Sequence, residues 1–207
     1  MNILRRQPPA SLTLTALSGI PLLNPGDNLV LIILQSLKQS NLSLENGDIL
    51  VIAQKVVSKA EGRYARLADI NPSERAFKLA EITGKDPRLV ELILSESREI
   101  VRHSKRTIQS SGVVVAENHQ GVVLANAGID SSNVGSESED EKVLLLPIDP
   151  DKSAGNINKE LQLKFKVRLA VIINDSLGRA WRNGTTGTAL GVSGIPALLD
   201  LRGRPDL

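Results

Sequence analysis

The sequence contains no cysteine and few aromatic residues, and each shortage excludes a class of chemistry. Without cysteine, the 207-residue chain can form neither disulfides nor thiolate zinc sites and has no thiol nucleophile, which fits a reducing compartment. Its aromatic side chains are Tyr64, Phe77, Phe165 and Trp181, so Leu, Ile, Val and Ala must build the core. Stacking surfaces for a base or a sugar ring are correspondingly scarce.

Long apolar runs and an excess of one charge are also missing. No stretch approaches the roughly 20 apolar residues that span a bilayer, and residues 1–10 are not followed by the apolar core of a signal peptide. The 25 basic and 23 acidic residues nearly balance, which gives no argument for nucleic acid. We therefore expect a cytoplasmic protein without membrane or nucleic-acid partners, folded as a domain over residues 1–207.

Capping residues and apolar spacing predict the secondary structure. Helices are predicted from Asp27 or Asn28 to Leu37, from Asn71-Pro72-Ser73-Glu74, with Pro in the first turn, to Gly84, from Pro87 to about Glu96, and from Asp149 to Lys166. Strands are predicted near residues 12–16, 49–53 and 167–173, with a hairpin of residues 112–116 and 121–124. Residues 100–108 fit a strand or a loop, and residues 131–141 a polar surface loop. Because strands and helices mix without strict βαβ alternation, the predicted fold class is α+β, or mixed α/β.

The most informative stretch, residues 174–184, follows the apolar run at residues 169–173. Asp175 and Ser176 offer a carboxylate and a hydroxyl, hard oxygen ligands that suit Mg²⁺ or Mn²⁺ shared with phosphate. A turn that closes onto Gly178 would explain the same residues. Asp130 follows another predicted strand and would supply a second carboxylate to the same cation, or else it only begins an exposed acidic loop.

Basic residues follow a third predicted strand, at residues 49–53. Lys55 and Lys59 are four residues apart, and Ser58 offers a hydroxyl between them. Two ammonium groups at this spacing suit a polyphosphate. The glycine-rich cradle of a P-loop is absent, and a solvated amphipathic turn explains the pattern equally well.

Two arginines flank the single tryptophan in the same stretch that contains Asp175. Arg179 and Arg182 could hold a carboxylate or phosphate, while Trp181 covers a ring. Trp181 could equally anchor packing or contact a partner subunit. His103 and His119 stand apart in polar surroundings, and nothing resembles a Ser-His-Asp arrangement.

Taken in order, these motifs resemble the coenzyme F(420)-0:L-glutamate ligase family over nearly the whole chain. Each piece is weak alone, but the ordered set is specific. The matching pieces are Gly19-Ile20-Pro21-Leu22 with Pro25-Gly26-Asp27, Val51-Ile52-Ala53-Gln54-Lys55-Val56-Val57-Ser58-Lys59-Ala60-Glu61-Gly62-Arg63, Gly128-Ile129-Asp130-Ser131-Ser132-Asn133, Asp175-Ser176-Leu177-Gly178-Arg179-Ala180-Trp181-Arg182-Asn183-Gly184, Ala189-Leu190-Gly191-Val192-Ser193-Gly194-Ile195 and Asp200-Leu201-Arg202-Gly203-Arg204-Pro205-Asp206.

The resemblance implies an α+β fold, an intertwined homodimer and a GTP-dependent ligase. GTP would phosphorylate the terminal carboxylate of the deazaflavin coenzyme F(420)-0, and L-glutamate would attack the acyl phosphate. Mg²⁺ or Mn²⁺ would fill two cation sites, and K⁺ is a further candidate cation. Asp130 and Asp175 would bind the first divalent cation, and Ser176 would contribute to the second. The residues implied to face the nucleotide are Ile20, Pro21, Leu22, Leu23, Lys55, Ser58, Lys59 and Asn133.

The chain departs from the family pattern in two ways. Ser176 stands where the family usually has Thr, and the hydroxyl ligand remains. The sequence ends at Leu207, whereas family members typically continue with a glycine-rich segment that adds nucleotide and metal contacts, so the second cation site is expected to be incomplete here. A truncated or inactive relative that binds nucleotide or deazaflavin is therefore the alternative function, and a phosphate-binding regulatory module is the third.

Overall fold

The computed structural model describes residues 11–108, 110–131, 141–178 and 181–203. The helices are α1 (Leu29–Gln39), α2 (Gln54–Ala60), α3 (Glu74–Thr83), α4 (Pro87–Ser95) and α5 (Pro150–Phe165). The strands are β1 (Ile49–Ala53), β2 (Tyr64–Arg66), β3 (Ser97–His103), β4 (Val114–Asn118), β5 (Val123–Ala125), β6 (Lys142–Leu144), β7 (Ala170–Gly178) and β8 (Thr185–Ser193). None of the described helices has the length and apolarity needed to cross a membrane.

Side-chain caps determine where the predicted helices begin. The carboxamide of Asn28 accepts a hydrogen bond from the Leu31 N–H at the start of α1. Ser73 does the same for the Ala76 N–H before α3, and Asp149 for the Lys152 N–H before α5. Each cap satisfies a backbone donor that the first helical turn leaves unpaired. These helices were predicted from the sequence and are confirmed.

The strands form three small sheets, which confirms the α+β class. One sheet has the order β1-β7-β8, with β1 parallel to β7 and β8 antiparallel to it. A second pairs β2 with β6, and the third has the order β3-β4-β5. The predicted hairpin around residues 118–120 is the antiparallel β4-β5 pair. Residues 100–108 begin as part of β3 and continue as a loop.

Two hydrophobic clusters stabilise these sheets. The first joins α3 and α4 to β4 and includes the fully buried Val90, Ile93 and Val114. The second packs α1 and α5 against β1 and β7 and includes the fully buried Leu161 and Ile173. Each buried aliphatic side chain of this kind contributes about 1.5–3 kcal/mol of transfer free energy. The candidate site is formed by residues next to these clusters: Asp130 follows Ile129 of the first cluster, and Asp175 lies two residues after Ile173 of the second.

Three parts of the predicted secondary structure were wrong. Residues 12–16 form no strand, because they have no partner strand and Leu12 and Leu14 are 84% and 87% exposed. The strand predicted to end at Ile173 continues to Gly178, because its backbone pairs with β8. No strand was predicted for β8, whose small residues lack an apolar alternation. Of the polar loop predicted at residues 131–141, residues 132–140 lie outside the described residues.

Candidate functional site

The candidate site begins at the carboxyl ends of the parallel strands β1 and β7. Ala53 on β1 is in register with Asn174 on β7. Lys55 in the first turn of α2 and Asp175 on β7 therefore come from the same edge of the sheet. In open sheets, ligands bind preferentially outside the carboxyl ends of parallel strands. The strand pairing thus brings an ammonium and a carboxylate, predicted separately from the sequence, to one place.

Asp130 reaches this edge on a loop that is fixed by its backbone. The Asp130 N–H donates to the Leu144 carbonyl at 2.9 Å, and the Leu144 N–H donates to the Asp130 carbonyl at 2.8 Å. In the segment before Asp130, the backbones of Asn126 and Ala127 have left-handed φ angles of 51° and 53°, which residues other than glycine rarely adopt. Strained backbone of this kind is concentrated at functional sites. Asp130 is thus held by the end of β6 and not by an exposed loop alone.

Glycine is required at Gly128 in the same loop. Its φ is +79°, and a Cβ there would lie 2.5 Å from the Leu146 Cδ1 atom. The left-handed conformation favours glycine, and an added Cβ would force the Leu146 side chain to shift. The Asn-Ala-Gly sequence therefore positions the carboxylate two residues after it.

Asp130, Lys55 and Asp175 form one electrostatic group. The Lys55 ammonium makes an ion pair with the Asp130 carboxylate. Burial raises the pKa of the Asp175 carboxyl, and the negative charge of Asp130 raises it further. The Ser176 N–H, which donates to the Asp175 Oδ1 atom at 2.8 Å, and the positive charge of Lys55 lower that pKa. Lys55 therefore pairs with Asp130, and the charges of both residues act on the Asp175 carboxyl.

Helix α2 determines which of its polar residues are accessible. The residues predicted to form a basic surface lie on this helix, which was not predicted as one. Lys55 and Lys59 are one turn apart and share a face. Ser58 is fully buried, and its hydroxyl accepts a hydrogen bond from the Gln54 Nε2 atom at 2.8 Å. In this arrangement the lysines, and not the Ser58 hydroxyl, face outward.

The residues after Asp175 lie on the β7-β8 hairpin. Ser176 is exposed and, because neighbouring residues on a strand alternate, points to the opposite side from Asp175. Trp181 is fully exposed, with a left-handed φ of 64°, and Arg182 is also exposed. The structure does not bring these three side chains to the Asp130-Asp175 pair. Arg179 and Asn133 lie outside the described residues.

An apolar groove lies between the N-terminal segment, α1 and β1. It has a volume of about 560 Å³ and is lined by Ile20, Val51, Ala53 and Val56, among others. Ala53 and Val56 stand on either side of Lys55 in the sequence. The other predicted nucleotide contacts in this segment, Pro21, Leu22 and Leu23, have no regular secondary structure, and Leu22 is 90% exposed. Two other surface depressions contain none of the predicted site residues.

The donor set at the site fits a divalent cation shared with a ligand. Among the described residues, no three His, Cys, Asp or Glu side chains form a metal-binding group. Mg²⁺ needs no such cage, since it usually takes one or two carboxylates and completes its shell with phosphate and water. Within the same part of the chain, the buried Asn126 Oδ1 atom has no hydrogen-bond partner. Asn126 was not predicted as a site residue, although it lies in the motif that carries Asp130.

The raised pKa of Asp175 predicts that Asp175→Asn stabilises the metal-free protein at neutral pH. A raised pKa means that the folded state favours the protonated form, so ionisation of Asp175 lowers the free energy of unfolding. The wild type loses none of this free energy of unfolding below the unfolded-state pKa of about 4. The loss grows as the pH rises from there through the folded-state pKa. Urea unfolding between pH 3 and 8 without divalent cations would measure it. A variant less stable than the wild type at neutral pH would contradict this reading.

Comparison with known proteins points in one direction. A family model described as F420-0:Gamma-glutamyl ligase matches residues 19–207. A protein named Coenzyme F420:L-glutamate ligase from Methanothermobacter thermautotrophicus is 44% identical over 196 residues, which cover 95% of this chain and 74% of the relative. The protein of that name from Methanopyrus kandleri is 45% identical over a stretch that covers 88% of this chain and 67% of the relative. The protein of that name from Methanocaldococcus jannaschii is 44% identical over a stretch that covers 79% of this chain and 61% of the relative. This chain therefore spans about two thirds of its relatives' length.

Proposed function

The chain belongs to the F420-0:Gamma-glutamyl ligase family, and we propose on that basis that it joins L-glutamate to the deazaflavin coenzyme F(420)-0 in coenzyme F(420) biosynthesis. The relatives it matches carry the name Coenzyme F420:L-glutamate ligase. The observation that carries the proposal is the convergence of Asp130, Asp175 and Lys55 at the end of the parallel strand pair. A ligase that activates a carboxylate with a nucleotide needs such a site for cations and phosphates.

The proposed reaction has two steps. The γ-phosphoryl group of GTP passes to a carboxylate oxygen of the coenzyme, leaving GDP and an acyl phosphate. The amine of L-glutamate then attacks the acyl carbon, loses a proton and forms the amide, and inorganic phosphate leaves with the former carboxylate oxygen. Neither step requires a cysteine or a histidine in the chain. The requirement is for positive charge beside the phosphates and for alignment of the reactants.

Asp130 and Asp175 would hold the first Mg²⁺ or Mn²⁺ and Ser176 would take part in a second, with K⁺ as a further cation. When bound, a divalent cation neutralises charge on the phosphate oxygens. Ser176 lies on the opposite side of the strand from Asp175, so its cation would be a separate one. The two carboxylates come from separate backbone segments, each fixed by hydrogen bonds or strand pairing. This rigidity supports a pre-arranged cation site.

Lys55 and Lys59 would contact the phosphates, and the groove beside them would accept the guanine base. Ala53 and Val56, which flank Lys55 in the sequence, line this groove together with Ile20. The remaining nucleotide contacts in the proposal are Pro21, Leu22, Leu23, Ser58 and Asn133, and those with the coenzyme or glutamate are Arg179, Trp181 and Arg182. Because Ser58 is buried beneath Gln54, its contact would require a local shift of α2.

The exposed apolar residues support the proposed homodimer. Strand β1 lies at the edge of its sheet, with β7 as its one neighbour among the described strands. Trp181 on the β7-β8 hairpin is fully exposed. Exposed edge strands and aromatic residues are common at subunit contacts. Light scattering coupled to gel filtration would give the mass of the species in solution.

A direct test follows the atoms of the proposed reaction. The protein would be incubated with GTP, Mg²⁺ or Mn²⁺, L-glutamate and the coenzyme labelled with ¹⁸O in its terminal carboxylate. We expect a glutamylated product, GDP and one ¹⁸O atom in the released phosphate. Unchanged coenzyme with the folded protein would contradict the ligase function, and nucleotide binding without product would favour the alternative of a binding protein. Product without ¹⁸O in the phosphate would exclude the acyl phosphate.

A further inference from the structure

The ammonium of Lys55 lies where a cation bound by Asp130 would be expected. It pairs with the Asp130 carboxylate. Lys55 therefore compensates part of the negative charge of Asp130. A carboxylate oxygen in direct contact with an ammonium cannot take a divalent cation at the same position. The ion pair and the cation site consequently exclude each other, at least in part.

The backbones of the two partners are held firmly. Asp130 is bonded to Leu144 through two backbone hydrogen bonds. Helix α2 is anchored by the buried Gln54 and Val57 side chains. The Lys55 side chain is 40% exposed, against 23% for that of Asp130. A change of partner would involve rotation of the lysine side chain, which has four flexible carbon–carbon bonds.

The position of Lys55 also gives it a second place to bind. It lies between Ala53 and Val56, which line the apolar groove. A nucleotide that entered the groove would bring phosphate oxygens to the end of the groove nearest to Lys55. An ammonium group forms good ion pairs with phosphate oxygens as well as with carboxylates. The same side chain can therefore serve either anion, according to which ligand is present.

We propose that Lys55 exchanges with a divalent cation on the Asp130 carboxylate, pairing with Asp130 when nucleotide is absent and with the phosphates when nucleotide and cation are bound. This inference rests on the proposed cation role of Asp130 and Asp175. It makes cation and nucleotide binding mutually favourable, because each removes the obstacle to the other. Lys55 would then be a positioning residue for the cation as well as a phosphate contact. The free cation alone would bind weakly.

If Lys55 exchanges with the cation, Lys55→Met should change the affinity for Mn²⁺ in opposite directions with and without nucleotide. In Lys55→Met without nucleotide, Mn²⁺ should bind roughly tenfold more tightly than in the wild type, because the competing positive charge is gone. With saturating GDP, Mn²⁺ should bind roughly tenfold more weakly, because Lys55 no longer holds the phosphates. Titration of Mn²⁺ followed by electron paramagnetic resonance and by calorimetry measures both affinities. A lysine that only stabilised the fold would not change the two affinities in opposite directions.

Lys78→Met is the matched control, because it removes the same charge from α3. Lys78 is 72% exposed and pairs with Glu74 one turn away, and we expect neither affinity to change. Weaker Mn²⁺ binding by Lys55→Met in both states, or no change in either state, would overturn the exchange. The proposed function fails separately if Asp175→Asn binds Mn²⁺ with GDP as tightly as the wild type. Circular dichroism of each variant would confirm that it is folded.

Discussion

Asp175→Asn should lower ligase turnover by roughly a hundredfold or more and abolish metal-dependent GTP binding. The substitution keeps the size of the side chain and an oxygen that can accept the Ser176 N–H, which donates to Asp175 at 2.8 Å. It removes one of the two carboxylates proposed to bind the cation, the other of which pairs with Lys55. An amide oxygen is a weaker ligand for a hard divalent cation than a carboxylate. Calorimetry with Mn²⁺ and a non-hydrolysable GTP analogue, together with the coupled ligase assay, would measure both effects.

Asp69→Asn is the control for this substitution. Its carboxylate is 65% exposed and pairs with Arg66 on the surface, so the same chemical change should leave turnover and nucleotide binding unaltered. The predicted stability gain of Asp175→Asn at neutral pH separates a functional loss from unfolding. Equal metal-dependent nucleotide affinity in Asp175→Asn and the wild type would mean that Asp175 is only a strand residue.

Gly191→Ala should destabilise the fold by about 2–3 kcal/mol and lower the melting temperature by about 5–10 °C. Gly191 on β8 faces the start of α5, where a Cβ atom would overlap the Pro150 backbone. Because backbone atoms of both elements meet there, neither can move aside without disturbing strand pairing or the helix cap. Thermal and urea unfolding would measure the change. Since β8 pairs with the segment that carries Asp175, turnover should fall as well.

Gly155→Ala gives the opposite expectation for the same added methyl group. Gly155 lies inside α5, and a Cβ atom there would contact no other residue within 4 Å. Alanine should therefore stabilise the helix by about 0.5–1 kcal/mol. If Gly191→Ala were as stable as Gly155→Ala, the close packing of β8 against α5 would be wrong.

Local signals in the sequence were sufficient for most helices with side-chain caps and for the carboxyl end of β1. The caps Asn28 and Asp149 act within a few residues of the helices they begin, so no knowledge of the tertiary fold was needed, whereas α3 is capped by Ser73 and not entered through Pro72. A cation shared by Asp130 and Asp175 was one of two alternatives for Asp130, because both residues follow predicted apolar strands. The family resemblance, which the comparisons confirm, rested on the order of these short motifs.

Features that depend on distant pairing were not predictable. Strand β8 has few apolar residues, and its backbone is satisfied by pairing with β7 across the hairpin. The position of Asp130 depends on its backbone bridge to Leu144. The ion pair between Asp130 and Lys55 depends in turn on that bridge. The burial of Ser58 requires α2 to be a helix packed by Gln54. Apart from the Gln54–Ser58 hydrogen bond, which joins residues one helical turn apart, these contacts have no short-range signature.

The most direct test of the account is to locate the cation. Crystals of the protein grown with GDP and Mn²⁺ would be measured at the manganese absorption edge to obtain an anomalous difference map. The account predicts a peak bound by the carboxylates of both Asp130 and Asp175, with the Lys55 ammonium moved to a phosphate oxygen. A nucleotide-bound structure with Mn²⁺ elsewhere, and with Lys55 still paired to Asp130, would contradict it.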